Sequence, residues 1–201
     1  PTNRADFDPR VSPTRVTGRY GDPRVEQYTG FVNAGTSLTD TWGLYGYFGY
    51  QDRDSRSAAF PRLASATTTL AGYPEGFLPI INTKARDINS ALGVRGELGG
   101  FDVDLSLSYG RNKIGFRTLN SANYAYGAAT PRDFSDGALI YDQYVAGLDF
   151  TRRFDLFQSL NVAFGIEGRR EGYKIQAGER ASYDYAPAGT ATGTIITNSP
   201  G

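Results

Sequence analysis

The two runs that flank Gly99-Gly100 leave this chain little choice of local structure. Before the glycines, Ile88, Ser90, Leu92, Val94, Gly96 and Leu98 alternate with Asp87, Asn89, Ala91, Gly93, Arg95 and Glu97. After them, Phe101, Val103, Leu105, Leu107 and Tyr109 alternate with Asp102, Asp104, Ser106, Ser108 and Gly110. A period of two sends one set to each face of a β-strand. Two glycines between such runs accept the positive φ that a two-residue hairpin turn needs. Folding there sets Leu98 against Phe101, Val94 against Leu105 and Leu92 against Leu107, so the apolar faces coincide. The same register sets Arg95 opposite Asp104, a favourable pair, and Glu97 opposite Asp102, an unfavourable one unless a neighbouring strand supplies a cation.

Two further hairpins read the same way. Val32, Ala34, Thr36 and Leu38 pair with Phe48, Gly46, Leu44 and Trp42 across a three-residue turn, Thr39-Asp40-Thr41. Tyr144, Ala146, Leu148 and Phe150 share a face in one strand, and Leu160, Val162, Phe164 and Ile166 do so in the next, joined by a connection from Arg152 to Ser159. The strands implied are about 25–38, 42–52, 87–98, 101–110, 140–151 and 160–173. Short turns then alternate with long connections, 53–86 and 111–139, which mix charges with Pro, Gly and aromatics and show no helical period. Compact domains seldom hold structureless connections this long. An antiparallel up-and-down membrane β-barrel does, with short periplasmic turns at one end and long extracellular loops at the other. The all-β reading is therefore a segment of such a barrel: six transmembrane strands as three hairpins, with residues 1–24 and 174–201 as outer loops. Trp42, Phe101 and Phe154, near the short turns, are candidates for an interfacial aromatic girdle.

Composition closes other routes. His and Cys are absent, which removes Ser-His-Asp triads, thiol nucleophiles, disulfides and ordinary zinc sites. The 21 Lys+Arg balance 21 Asp+Glu, so no bulk field favours nucleic acid. Mean hydropathy is −0.42 and no apolar run approaches the length of a membrane helix. The glycine-rich stretches Gly165–Gly168 and Gly93–Gly99 open no helix and so lack the physics of a phosphate loop. The carboxylates of Asp102 and Asp104 share a strand face with nothing to split their acidities, which argues against catalysis. No cofactor is implied.

Tyr73-Pro-Glu-Gly-Phe-Leu-Pro-Ile-Ile-Asn-Thr, the run from Ser90 through Ser106, Tyr109-Gly-Arg-Asn, Tyr141-Asp-Gln-Tyr-Val-Ala-Gly-Leu-Asp-Phe and Glu167-Gly-Arg-Arg-Glu-Gly-Tyr-Lys-Ile-Gln-Ala-Gly-Glu resemble the barrel of TonB-dependent outer-membrane receptors. The resemblance spans about Gly21 to Tyr185. It implies import of a scarce nutrient (siderophore-bound iron, cobalamin, haem or an oligosaccharide) across the outer membrane of a Gram-negative bacterium. Its partners would be outer-membrane lipid, the remaining barrel, a plug domain and, through an N-terminal part, the TonB complex. The chain carries no plug, no TonB box and no closing aromatic strand, and starts at Pro1 without an initiator Met or signal peptide. The expectation is a middle segment of such a receptor.

On this reading Arg95, Glu97, Asp102, Asp104, Asp149, Glu167 and Arg169, with Asn33, Tyr45, Tyr47, Asn89 and Gln143, face the lumen and meet a plug or solvent. The plain alternative is a solvated wall with weak cross-strand pairs. Small-molecule capture falls to the outer loops, where Arg53, Arg56, Arg62, Tyr73, Phe77, Arg111, Lys113, Arg117, Tyr124 and Tyr126 offer cations for anionic chelates and rings for sugars. Two other functions stay open: a soluble secreted β-sheet binding or adhesion module, whose apolar stripe must pack on a second sheet, and a passive porin.

Overall fold

Six long strands follow one another through space in the order of the sequence. A computed structural model describes residues 5–7, 16–19, 21, 23–157 and 159–184. The leading part, expected as loop, contains a small antiparallel ladder between β1 (Ala5–Phe7) and β2 (Val16–Arg19). The main sheet comprises β3 (Arg24–Ser37), β4 (Trp42–Ala58), β5 (Ile80–Leu98), β6 (Phe101–Leu119), β7 (Phe134–Phe154) and β8 (Leu160–Ala177). It is an antiparallel meander, with β3 and β8 at its edges. Of the outer loop expected over 174–201, residues 174–177 belong to β8 and 185–201 lie outside the described residues.

The register is the one the hairpins dictate. Leu98 faces Phe101, Val94 faces Leu105, Leu92 faces Leu107 and Arg95 faces Asp104. Gly99 and Gly100 have φ of 62° and 80°, the left-handed values that close this turn. In the first hairpin Val32 faces Phe48 and Thr36 faces Leu44. Its turn is closed by Leu38 and Thr39 amides donating to the Trp42 carbonyl, while the Thr39 hydroxyl accepts from the Thr41 and Trp42 amides.

The strands are longer than the sequence pattern indicates, and this corrects the loops. The connection expected over 53–86 shrinks to 59–79, and the one over 111–139 to 120–133. In the sequence the apolar residues stop recurring on one face at the expected strand ends. The backbone ladder runs on through those points, and the hydrophobic residues change sides. On β6, Phe101, Val103, Leu105, Leu107 and Tyr109 are followed on the same face by Arg111, Lys113, Gly115 and Arg117. The opposite face runs from Asp102, Asp104 and Ser106 to Ile114 and Phe116. Pairing is unbroken from Asp102 to Phe116, with a register shift only between Phe116 and Arg117. The polarity inverts although the strand does not slip.

The long connections also carry structure where no helical period was visible. Ser65 starts the one-turn helix α1 (Ala66–Leu70) with a capping box: its hydroxyl accepts from the Thr68 amide and the Thr68 hydroxyl accepts from the Ser65 amide. One 3₁₀ segment spans Tyr124–Ala129 and another Arg180–Ser182. No helix among the described residues is long and apolar enough to cross a membrane.

Candidate functional site

Seven sequence-selected residues come together on one face of the sheet. Arg95 is opposite Asp104, Asp104 is opposite Asp149, and Glu97 is opposite Asp102. Glu167 is opposite Gly147 and Arg169 opposite Val145, on that same face of β7 and β8. The face is produced by alternation alone, which leaves the side chains to choose partners within it.

Those partners differ from the expected ones. Arg95 and Asp104 are in register, but no ion pair joins them among the described residues. Instead the Tyr45 hydroxyl, from β4, crosses β5 and donates to Asp104 at 2.6 Å. The Arg95 guanidinium lies 5.5 Å from the Tyr45 ring centroid, within cation–π range. This crossing needs Gly93 beneath it, since a Cβ there would stand 2.4 Å from Tyr45 Cζ. Asp87 joins three strands by accepting from Asn112 at 2.5 Å and Gln51 at 3.4 Å. Arg169 pairs with Glu167 at 3.0 Å and Glu171 at 3.6 Å along its own strand. Gln143 donates to Glu171. Asp87, Asn112 and Glu171 were missed by sequence reasoning, although the parity that selected Arg95 and Arg169 selects them too. Among the described residues no cluster of three or more His, Cys, Asp or Glu side chains could hold a metal ion.

The loop candidates separate into two groups. Arg53 and Arg56 lie on β4, and Arg111, Lys113 and Arg117 on β6, so none of them is a loop residue. Arg56, Arg111, Lys113 and Arg117 stand on the face that carries the apolar residues further along the strands. Arg62, Tyr73, Phe77, Tyr124 and Tyr126 do sit in the long connections. Phe77 is only 5% exposed and forms a small core with Ala71 and Ala122, flanked by Tyr73 and Tyr124, so its ring is unavailable to a ligand. Burial pushes the Tyr124 hydroxyl above the usual tyrosine range, partly offset by Arg62.

The connections are clasped to each other. The Tyr73 hydroxyl donates to the Ser121 carbonyl at 3.1 Å, and the Arg132 guanidinium lies 3.8 Å from the Tyr73 ring centroid. Arg132 also donates to the Gly72 carbonyl. The Asn123 amide donates to the carbonyls of Ala181 and Asp184, and the Tyr126 hydroxyl donates to the Asp184 carboxylate at 2.9 Å. Three segments distant in sequence thus form one cap at the end of the sheet opposite the short turns.

The chain matches no family model, no curated protein and no solved structure in the comparisons made with each.

Proposed function

We propose that this chain is part of an outer-membrane β-barrel, of the kind that TonB-dependent receptors use to import a scarce nutrient. The observation that carries the reading is an apolar band on one sheet face that nothing covers among the described residues. Leu105 is 47% exposed, Leu107 60%, Phe164 54% and Ile166 72%. Water-exposed apolar area of this extent calls for a lipid or protein cover.

The band has the dimensions of a bilayer. It extends along β5 from Leu98 to Ile88, ten residues or ~33 Å of strand. At the roughly 40° tilt of membrane strands this projects to about 25 Å, the height of the apolar belt of such barrels. Aromatic residues mark both margins. Phe101, Phe150 and Phe164 cluster near the short turns, with centroids 5.2 to 6.5 Å apart, and Trp42 lies over Gly96 beside them. Tyr109 and Tyr144, 4.8 Å apart, mark the far margin. Strands of 14 to 21 residues exceed the ~9–11 that cross a bilayer. The surplus is the half whose outward face is charged.

The polar face opposite the band would line the lumen, where Tyr45, Arg95, Asp104, Asp149 and Arg169 would meet a plug or solvent. The clasped loops, with Tyr126 and Arg62, would receive the small-molecule ligand. The family assignment itself rests on the sequence resemblance given above. The test is depth-resolved labelling, with single cysteines at Val94, Leu105 and Phe164 and controls at Arg95 and Asp104. Expected is protection of the first three by lipid, with the controls reached by water-soluble reagents. Burial of the first three in buffer without lipid would favour the soluble module instead.

A further inference from the structure

Just beyond the tyrosine margin, the outward face turns cationic. The first row past Tyr109 and Tyr144 sets Arg111 opposite Asp142, and the next contains Arg86, Lys113 and Lys174 with Asp52. Lys84 follows one row further. Asp52 and Asp54 pair with Arg86 at 3.0 Å and Lys84 at 3.5 Å. Arg111, Lys113 and Lys174 have no ion-pair partner among the described residues. The side chains of Lys84 and Arg86 are mostly exposed.

Lys84, Arg86 and Lys113 of this group, with Arg117, line a shallow depression of about 340 Å³. The depression exists because Gly115 and Ala138 stand side by side between them, where larger side chains would fill the space. Asp52 is the only acidic residue in the lining. With Arg86 paired to Asp52 and Lys84 to Asp54, Lys113 and Arg117 leave the lining net positive, so its complement is an anion, and phosphate is the group that lysine and arginine hold together.

We infer that this depression binds the phosphate of an anionic lipid headgroup at the membrane surface. The inference rests on the membrane reading above, because only that reading places the site beside lipid. Lys113 is four residues past Tyr109, ~13 Å along the strand and about 10 Å in depth at a 40° tilt. That is where headgroups lie outside the hydrocarbon. Basic clusters at this height attract anionic headgroups. A ligand passing through the lumen would not reach these side chains, since they stand on the opposite sheet face.

The experiment folds the full chain into phosphatidylcholine vesicles containing a minor fraction of phosphatidylglycerol, extracts it with its bound lipid and measures the lipid ratio. The wild type is expected to retain phosphatidylglycerol about fivefold or more above its bulk proportion. The K84Q/R86Q/K113Q variant is expected to fall to the bulk proportion. Arg153→Gln, on the other face near a short turn, is expected to behave as wild type. Quenching of Trp42 by phosphatidylcholine brominated near its headgroup reports insertion in the same sample. Quenched Trp42 with no anionic enrichment would overturn the headgroup site and leave the membrane reading standing. Unquenched Trp42 would overturn both. Displacement of the retained lipid by inorganic phosphate at comparable concentration would make this a free-phosphate site and overturn the lipid assignment.

Discussion

The hydroxyl of Tyr45 on β4 donates to the carboxylate of Asp104 on β6 at 2.6 Å, passing over the intervening strand at Gly93. The bond ties strands that share no backbone ladder, and so fixes the spacing of three strands at once. It also gives Asp104 a partner that is neutral, which leaves Arg95 to lie over the Tyr45 ring.

Gly93→Ala is expected to break this arrangement, because the new Cβ would stand 2.4 Å from Tyr45 Cζ and 2.5 Å from its oxygen. Overpacking of that kind costs ~1–3 kcal/mol. Tyr45→Phe alone is expected to cost about 1 kcal/mol, the net value of one hydrogen bond. In the G93A background Tyr45→Phe should then cost almost nothing. Denaturant unfolding of the four proteins in detergent micelles completes the cycle, and additive losses would mean that Tyr45 does not depend on Gly93.

The apolar band predicts a depth profile along one face of β6. Lysine at Leu105, near mid-band, is expected to cost ~2–4 kcal/mol in phospholipid vesicles, falling to ~0–1 kcal/mol at the margin, at Tyr109. Gly115, beyond the margin, has only distant neighbours around a Cβ, and Gly115→Lys should cost nothing measurable. A flat profile, or a stabilised Leu105→Lys, would count against lipid on this face.

The same inversion of polarity explains how far the sequence could be read. Around Gly99-Gly100 the alternation, the turn chemistry and the pairing of apolar faces agree, and the register from Leu98 to Leu92 follows from them. Beyond Ile88 and Tyr109 the periodicity persists with its sign reversed, as Ile114 and Phe116 show on the face of Asp104. A reading that follows one face meets charges there and ends the strand. Arg53, Arg56, Arg111 and Arg117 therefore looked like loop residues. The capping box of Ser65 and Thr68 has Thr where a sequence signature would carry Glu or Gln, and α1 is a single turn, too short to show a helical period. The polar face was legible as a face because parity alone determines it. Its bonds were not, since the reach of Tyr45 over a glycine depends on the sheet as a whole.

The clasp between Tyr73 and Arg132 is expected to control protease access to the first long connection. Arg132→Gln removes both the stacked cation, typically ~0.5–2 kcal/mol, and the hydrogen bond to the Gly72 carbonyl. Limited trypsin digestion should then cut faster after Arg62, in that connection, with cleavage after Arg86 on β5 unchanged. Equal rates at Arg62 in both proteins would show that the ring and guanidinium hold nothing in place.

Tyr126 and Asp184 make the loop cap sensitive to alkali. The hydrogen bond to the Asp184 carboxylate, with some burial, raises the Tyr126 hydroxyl above its ordinary acidity range, and the nearby Arg180 opposes this in part. The bond exists only while the phenol keeps its proton. A group whose value is raised by folding contributes stability that is complete below its unfolded value, ~10 for tyrosine, and is lost as pH rises through the folded one. The contribution should therefore be constant through neutral pH and disappear in strong alkali, where tyrosinate and carboxylate would repel. Subtracting the tyrosinate absorbance of Tyr126→Phe from that of the wild type isolates this one residue, and its midpoint is expected above that of free tyrosine. The two proteins should differ in unfolding midpoint at neutral pH and converge at alkaline pH. A difference that persisted in alkali would assign the loss in Tyr126→Phe to packing, and the hydroxyl would have no part in holding the cap.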